Sequence, residues 1–356
     1  WVHSIDASSL YGFAIASLYD SLGNDSIIYI MRHSKMESVL VSDKNTKKLV
    51  DLIAADFESS NPEPLAVKSL ILYSEESVQY ATENLSQYNI SIFTFDRVCE
   101  IGRPDDVQFP SIDPEDIHLI CYSSGTTGLP KGVIISHRAQ ISTAFGATHE
   151  IPLGDHARHL SYLPLAHIFE RSAISISMMA GGQIGFISGG VTNLSADMAA
   201  LKPTFFAAVP RVMNRFYDGL LAQLKKEPAV LRMIFWGAWY ARRFCIRTGI
   251  PSGFFKVIFG SIPKKMGGCV EQVIVGGAAL DPNIQEILQV AMGLPVRTGY
   301  GLTEAGSGNI ISPLNIKYIK PGTVGGPLIN AEIKLDPIQD YNDDECGEII
   351  IKGQCI

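Results

Sequence analysis

Short apolar runs alternate with longer amphipathic stretches through the first hundred residues. Ser38-Val-Leu-Val41, Leu70-Ile-Leu-Tyr73 and Ile90-Ser-Ile-Phe-Thr-Phe95 predict strands. Ser26-Ile-Ile-Tyr-Ile30 has a similar β-branched, aromatic composition and predicts another. Asn45 to Ser59 and Glu75 to Gln87 have helical spacing. Alternation of this kind predicts an α/β fold with parallel strand pairing. Ile101 to Glu115 contains Pro104, Pro110 and Pro114 and predicts a loop. Two short apolar runs follow, Ile117-His-Leu-Ile-Cys-Tyr122 and Gly132-Val-Ile-Ile-Ser136, and each predicts a strand.

The second half repeats the alternation. Residues 172–196 form the longest uncharged stretch, but paired glycines interrupt it, so a helix, a turn and a strand are expected rather than a membrane span. Lys202 to Pro210 holds a strand core between prolines, and Arg211 to Arg243 is mostly helical. Val273-Ile-Val275 and Pro295-Val-Arg-Thr298 predict buried strands. They end at Gly276-Gly277-Ala278-Ala279 and Gly299-Tyr300-Gly301. Ligands of α/β sheets collect beyond such carboxyl ends. After Pro313 the pattern becomes hairpin-like, with Val324-Gly-Gly-Pro, Ala331 to Leu335 and Gly347 to Ile351. There is no internal repeat.

The segment between the two middle strands carries the strongest chemistry. Tyr122-Ser123-Ser124-Gly125-Thr126-Thr127-Gly128-Leu-Pro130-Lys131-Gly132 crowds hydroxyls, glycines and one lysine into a turn. Backbone N–H groups and hydroxyls of such a turn can ring phosphate oxygens, and Lys131 adds a point charge. A Walker A loop is followed by a helix and ends in Gly-Lys-Ser/Thr. Here Pro130 and Gly132 occupy the flanking positions, which argues against an ordinary kinase or P-loop NTPase. The bland alternative is a hydroxyl-rich hairpin turn. The second signal is Gly299-Tyr300-Gly301-Leu-Thr303-Glu304-Ala-Gly306. Tyr300 offers a face for a base, Thr303 a hydroxyl, and Glu304 a carboxylate suited to Mg²⁺. It fails as a dinucleotide fingerprint, because Glu304 stands where the third glycine belongs.

Composition narrows the classes. The chain has 356 residues, 46% hydrophobic and 18% charged, enough for about two domains. A formal net charge of −7 argues against nucleic acid as a partner. The six cysteines are scattered with no C-x-x-C pair, so a reducing, intracellular setting is expected and no zinc ribbon. No charged-then-apolar leader precedes the first residues, so no signal peptide is expected. Charge is uneven, however. Between Lys202 and Lys265 there are 12 bases and 2 acids, 12 − 2 = +10, interleaved with aromatics such as Trp236, Trp239 and Phe254. A solvated face over a core and a surface for anionic lipid or a phosphorylated cosubstrate both fit.

Together the two chemical segments resemble the adenylate-forming superfamily: acyl-CoA synthetases, luciferases and peptide-synthetase adenylation domains. Leu18-Tyr-Asp-Ser-Leu-Gly23, Leu163-Pro-Leu-Ala-His167-Ile-Phe-Glu-Arg171 and Val209-Pro-Arg-Val-Met-Asn-Arg-Phe-Tyr217 are similar to the long-chain fatty acid–CoA ligase branch. The resemblance implies a large N-terminal domain of stacked mixed sheets with helices and a β-rich C-terminal part. It implies activation of a fatty acid by ATP to acyl-AMP, with pyrophosphate released, then transfer to CoA. Ser123 to Lys131 would hold the β- and γ-phosphates. Tyr300 would stack on adenine beside Gly276, Gly277, Ala278 and Ala279. Thr303 would contact the α-phosphate, Glu304 would hold Mg²⁺, and His167 would lie beside the acyl carboxylate, unless it is a structural histidine.

The resemblance also implies departures. A Tyr-x-Thr-Gly-Asp ribose clamp, the hinge and the small C-terminal domain with its adenylation lysine are not in these 356 residues. Residues 1–356 are therefore expected to be an incomplete N-terminal AMP-binding domain, truncated at both ends and inactive or slow by itself. The expected setting is the cytosol or the cytosolic face of an organelle membrane such as the endoplasmic reticulum, with peripheral contact to anionic membrane. A ligase for a shorter or aromatic acid, and a non-catalytic nucleotide- or lipid-binding remnant, stay open.

Overall fold

A computed structural model describes residues 1–19, 22–59, 63–102, 108–123, 128–338 and 346–356. The chain divides into two units, 1–136 and 137–356.

The first unit holds strands β1 (Ile15–Ala16), β2 (Ser38–Leu40), β3 (Ser69–Leu72), β4 (Ser91–Thr94), β5 (Ile117–Ser123) and β6 (Lys131–Ser136). Strands β2, β3 and β4 form a parallel sheet in chain order, as the alternation predicted. Helices Asp43–Glu58 and Glu75–Leu85 supply the crossovers. Val50, Ile53, Leu70, Leu72 and Leu85 are fully buried between helices and sheet. A second sheet has the order β1-β5-β6. There β5 and β6 form an antiparallel hairpin, with Ser123 opposite Lys131.

One expectation is corrected. Ser26 to Ile30 is not a strand but part of helix Asn24–His33. Asp25 in the first turn and Arg32 and His33 in the last complement the helix dipole. Ile27, Ile30 and Met31 then fall on one buried face at helical spacing. The β-branched run is locally strand-like, but packing against the sheet's core decides its state.

The second unit holds β7 (Arg158–Ser161), β8 (Gln183–Phe186), β9 (Phe205–Ala208), β10 (Gln272–Val275), β11 (Val296–Tyr300), β12 (Ile310–Ile311), β13 (Gly326–Pro327), β14 (Ala331–Pro337) and β15 (Gly347–Gly353). Seven of these make one sheet, in the order β13-β12-β11-β10-β9-β7-β8. The five strands from β11 to β8 are parallel, and β12 and β13 extend the sheet antiparallel. Strands β14 and β15 form a separate hairpin, so the C-terminal part is β-rich as expected.

Side chains alternate across the large sheet with period two. Phe206, Ala208, Val273, Val275 and Val296 pack on one face against helices Pro210–Lys226, Ala229–Thr248 and Pro282–Met292. Phe205, Ala207 and Ile274 pack on the other, with residues of helices His137–Glu150 and Ile168–Met179. Both faces are covered, which is why β9 and β10 read as continuous apolar runs. Residues 172–196 resolve into the C-terminal part of helix Ile168–Met179, a turn, β8 and the start of a further helix. No helix among the described residues is long and apolar enough to cross a membrane.

Candidate functional site

The order of the parallel strands locates a crevice. From β7 the chain moves outward to β8 and then returns to place β9 on the other side of β7. Connections diverge at that reversal, and the carboxyl ends of β7 and β9 flank the gap they leave. Five parallel strands end along this edge, and four of them lead into the segments that matter here. After β7 comes 162–167, after β9 comes Val209, after β10 comes Gly276 to Ala279, and β11 runs out at Tyr300.

The edge is poor in side chains where β10 ends. Gly276 is buried, and its N–H donates to the Ala208 carbonyl at 3.1 Å. A Cβ there would stand 3.3 Å from the Phe169 ring. Gly277 has φ +82°, and only Val209 lies near the place of its missing Cβ, at 3.8 Å. Gly277, Ala278 and Ala279 are exposed. Glycine here is favoured by the left-handed backbone.

The β11 segment supplies polar groups. Tyr300 is the last strand residue rather than a loop residue, half-buried and paired with Ile310. A tight turn follows. The Ala305 N–H donates to the Leu302 carbonyl, the Gly306 N–H to Thr303, and the Ser307 N–H to Leu302. Gly301 must be glycine, because a Cβ would lie 1.4 Å from the Ser307 carbonyl oxygen. The turn holds Thr303 half-buried and Glu304 exposed. Among the described residues no three His, Cys, Asp or Glu side chains cluster as a metal cage. A lone exposed carboxylate fits Mg²⁺ that arrives with a polyphosphate, since that ion keeps waters and phosphate oxygens as its other ligands.

His167 precedes helix Ile168–Met179 with extended backbone (φ −84°, ψ 134°). Its ring is exposed, yet its surroundings desolvate it enough to lower its pKa. Behind it lies a pair that the sequence reading did not single out. His159 on β7 and Glu170 on the helix are both fully buried, with Nε2 and Oε1 2.9 Å apart. The hydroxyl of Tyr162 is pushed up by burial and further by the Glu170 charge. The available signal was a carboxylate inside the apolar run 168–179.

The phosphate-loop residues belong to the first unit. Ser123 and Lys131 close the β5–β6 hairpin, with Lys131 exposed. The predicted strand–loop–strand arrangement is thus present. Gly128 has φ +102° and open space around it. Ser124, Gly125, Thr126 and Thr127 lie outside the described residues. The base of the hairpin is tied to its own unit, since the Tyr122 hydroxyl is 2.8 Å from His33 Nδ1. Gly276 to Ala279, Tyr300, Thr303, Glu304 and His167 all belong to the second unit.

Known proteins agree with this frame. The model of the AMP-binding enzyme family matches residues 1–356. Long chain acyl-CoA synthetase 7, peroxisomal, from Arabidopsis thaliana is 32% identical over all of this chain and 50% of its own length. Fatty acyl-CoA synthetase A from Dictyostelium discoideum is 32% identical over 99% of this chain and 52% of its own length. The adenylation domain of a carboxylate reductase from Mycobacterium chelonae superposes with a TM-score of 0.76 at 20% identity, over 99% of this chain and 52% of that one. The chain thus spans about half the length of the curated relatives it matches. Because that family model matches residues 1–356, the chain belongs to the AMP-binding enzyme family.

Proposed function

We propose that the chain supplies the nucleotide-handling part of a long-chain fatty acid–CoA ligase. The carrying observation is the carboxyl edge of the parallel sheet, where exposed Gly277 to Ala279 lie at the end of one strand and Thr303 and Glu304 just beyond the next. The named relatives point to the acid.

In this reading a fatty carboxylate attacks the α-phosphorus of ATP and pyrophosphate leaves. The CoA thiol then attacks the acyl carbon of the adenylate and AMP leaves. The barrier is set by charge on the phosphates and by the alignment of a weak nucleophile. Ser123, Ser124, Gly125, Thr126, Thr127 and Gly128 hold the outer phosphates, with Lys131 as the point charge. The Tyr300 ring stacks on adenine, the Gly276 to Ala279 backbone passes close beside it, and Thr303 donates to the α-phosphate. Glu304 holds Mg²⁺, which when bound neutralises charge on the phosphate oxygens. His167, kept neutral at pH 7 by desolvation, orients the acyl carboxylate without trapping it as an ion pair. The setting proposed is intracellular, at the cytosolic face of an organelle membrane.

Pyrophosphate release from palmitate and ATP by the full-length protein tests this. Lys131→Ala is expected to lower the rate about 100- to 1,000-fold, the range for losing one preorganised donor to transition-state charge. An unchanged rate removes the phosphate-loop assignment. Faster turnover of benzoate or a short acid than of palmitate would move the enzyme to another acid class. ATP binding with no pyrophosphate release from any acid would leave a nucleotide-binding protein.

A further inference from the structure

Helix Ala229–Thr248 is apolar on both sides. Its inner stripe, Phe235, Trp239, Arg242 and Ile246, is buried in the second unit's core. The Trp239 indole N–H donates to the Ile287 carbonyl, so this ring is a packing residue. The opposite stripe carries Val230, Met233, Ile234, Tyr240 and Phe244, which are 50–71% exposed. Their spacing of three, four, six and seven residues puts them on one face. A helix at a water-facing surface carries polar residues there. Scattered apolar residues on a surface need no explanation, but five along one helical stripe do.

The patch extends beyond the helix. Phe235 and Phe259 are in edge contact at 5.1 Å, which seats segment 253–259 beside the helix's N-terminal half. In that segment Phe255 and Phe259 point inward, while Phe254, Val257 and Ile258 are exposed, Val257 at 92%. Bases surround these side chains. Arg232 and Lys256 sit within the two segments and are exposed. The Lys265 ammonium donates to Gln223 at 2.6 Å, which brings Lys264 and Lys265 to the end of the helix carrying Lys225 and Lys226. Among the described residues none of these six bases is in an ion pair with a carboxylate. The acids of the run are half-buried Glu227 and exposed Asp218, two turns back from Lys225. The bases are remote from the crevice. Helix Pro210–Lys226 starts just after β9 and is 17 residues long, so its lysines lie about 25 Å from the strand edge.

We propose that this face rests on an anionic lipid surface: the exposed side chains of 230–234 and 254–258 enter the interfacial layer, and the lysine ring meets the headgroups. Charge complementarity selects this occupant. The run from 202 to 265 carries +10 in a chain whose net charge is −7, and it surrounds an apolar tip. A second copy would have to bring the same positive ring against itself, whereas an anionic leaflet attracts each base. The helix lies on the surface and does not span it, since Arg232, Arg242, Arg243 and Arg247 interrupt its 20 residues. This proposal stands apart from the ligase reading, because vesicle binding needs neither ATP nor an acid.

The test is sedimentation of the purified chain with phosphatidylcholine vesicles, with and without 30% phosphatidylserine. Binding is expected only with phosphatidylserine and should fall steeply between low and high salt. Lys225→Glu with Lys226→Glu is expected to weaken it at least tenfold, at roughly fivefold per surface charge removed. Met233→Glu with Ile234→Glu should weaken it comparably. Thermal melts check that each variant folds, and the lysine pair, being exposed, serves if the apolar pair does not. Equal binding to pure phosphatidylcholine would overturn the proposal. So would dimerisation without vesicle binding, which would assign the face to a second copy, or a monomer that ignores both vesicles.

Discussion

The chain contains two parallel α/β sheets built on similar local rules, and only one of them carries the proposed site residues at its carboxyl ends. In the first unit β2, β3 and β4 follow one another in order, each crossover stepping the same way. No reversal occurs among them, so no crevice opens. Three polar groups at that edge are tied into the fold. Ser74 caps helix Glu75–Leu85 by accepting from the Ser77 N–H, and Asp43 accepts from both Ser74 and Ser77 hydroxyls at 2.8 and 2.7 Å. These bonds hold the Asp43 carboxyl below its usual range. In the second unit the order reverses at β7 and β9, and the edge keeps exposed glycine, alanine, histidine and glutamate. Strand composition is alike in the two sheets; the order of the connections is what differs.

The largest effect that would test this contrast lies under the second sheet. Arg297 on β11 is fully buried, donating to the Ser312 and Glu150 carbonyls and to Gln272 Oε1. Burial lowers its pKa to about 10, so it stays charged at neutral pH. Arg297→Met leaves the buried Ser312 carbonyl and Gln272 Oε1 without this donor, and a loss of about 3 kcal/mol is expected from urea unfolding. A loss under 1 kcal/mol would show that the strand bearing Tyr300 does not depend on this anchor. Next comes Gly277→Val. A β-branched residue at φ +82° costs about 1–2 kcal/mol, and its side chain fills the open edge. Calorimetric ATP binding by the full-length protein is expected to disappear while the fold persists; retained binding would remove Gly277 from the nucleotide site.

Much of this was legible in the sequence, for identifiable reasons. The β5–β6 hairpin, β9, β10 and β11 show themselves as short apolar runs bounded by glycine or proline, and for β9 and β10 burial on both faces is the reason. Helix Asn24–His33 was not legible, since Ile27 and Ile28 favour strands locally and only contact with the first unit's core selects the helix. The His159–Glu170 pair and the Arg297 anchor were missed because their partners come together only in the folded chain: Glu150 is 147 residues from Arg297. The patch around residues 225–265 was visible as charge, but its apolar half emerged only once the inner stripe of helix Ala229–Thr248 was known.

A smaller effect checks the first sheet. Ser74→Ala removes a helix cap and one of Asp43's donors, with an expected cost of about 1 kcal/mol. ATP binding by the full-length protein should not change, because none of the proposed nucleotide-site residues lies at this edge. Weakened binding would mean that the two sheets are not separable in function.

The smallest effect is electrostatic and concerns His167. Desolvation lowers its folded pKa, and the positive end of helix Ile168–Met179 acts in the same direction. An unfolded histidine titrates near ~6.5. Between that value and the lowered folded one, the unfolded chain binds the extra proton and the folded chain does not. Stability therefore falls as pH drops through about 6.5 and levels off below the folded pKa, and above pH ~7.5 the group contributes no slope. His167→Gln should remove that part of the slope and leave the midpoint at pH 8 unchanged within a few tenths of a kcal/mol, because the ring is exposed. Urea midpoints from pH 5 to 8 for both proteins decide it. An unaltered slope would mean that the ring is fully solvated, and a neutral imidazole beside the acyl carboxylate would lose its physical basis.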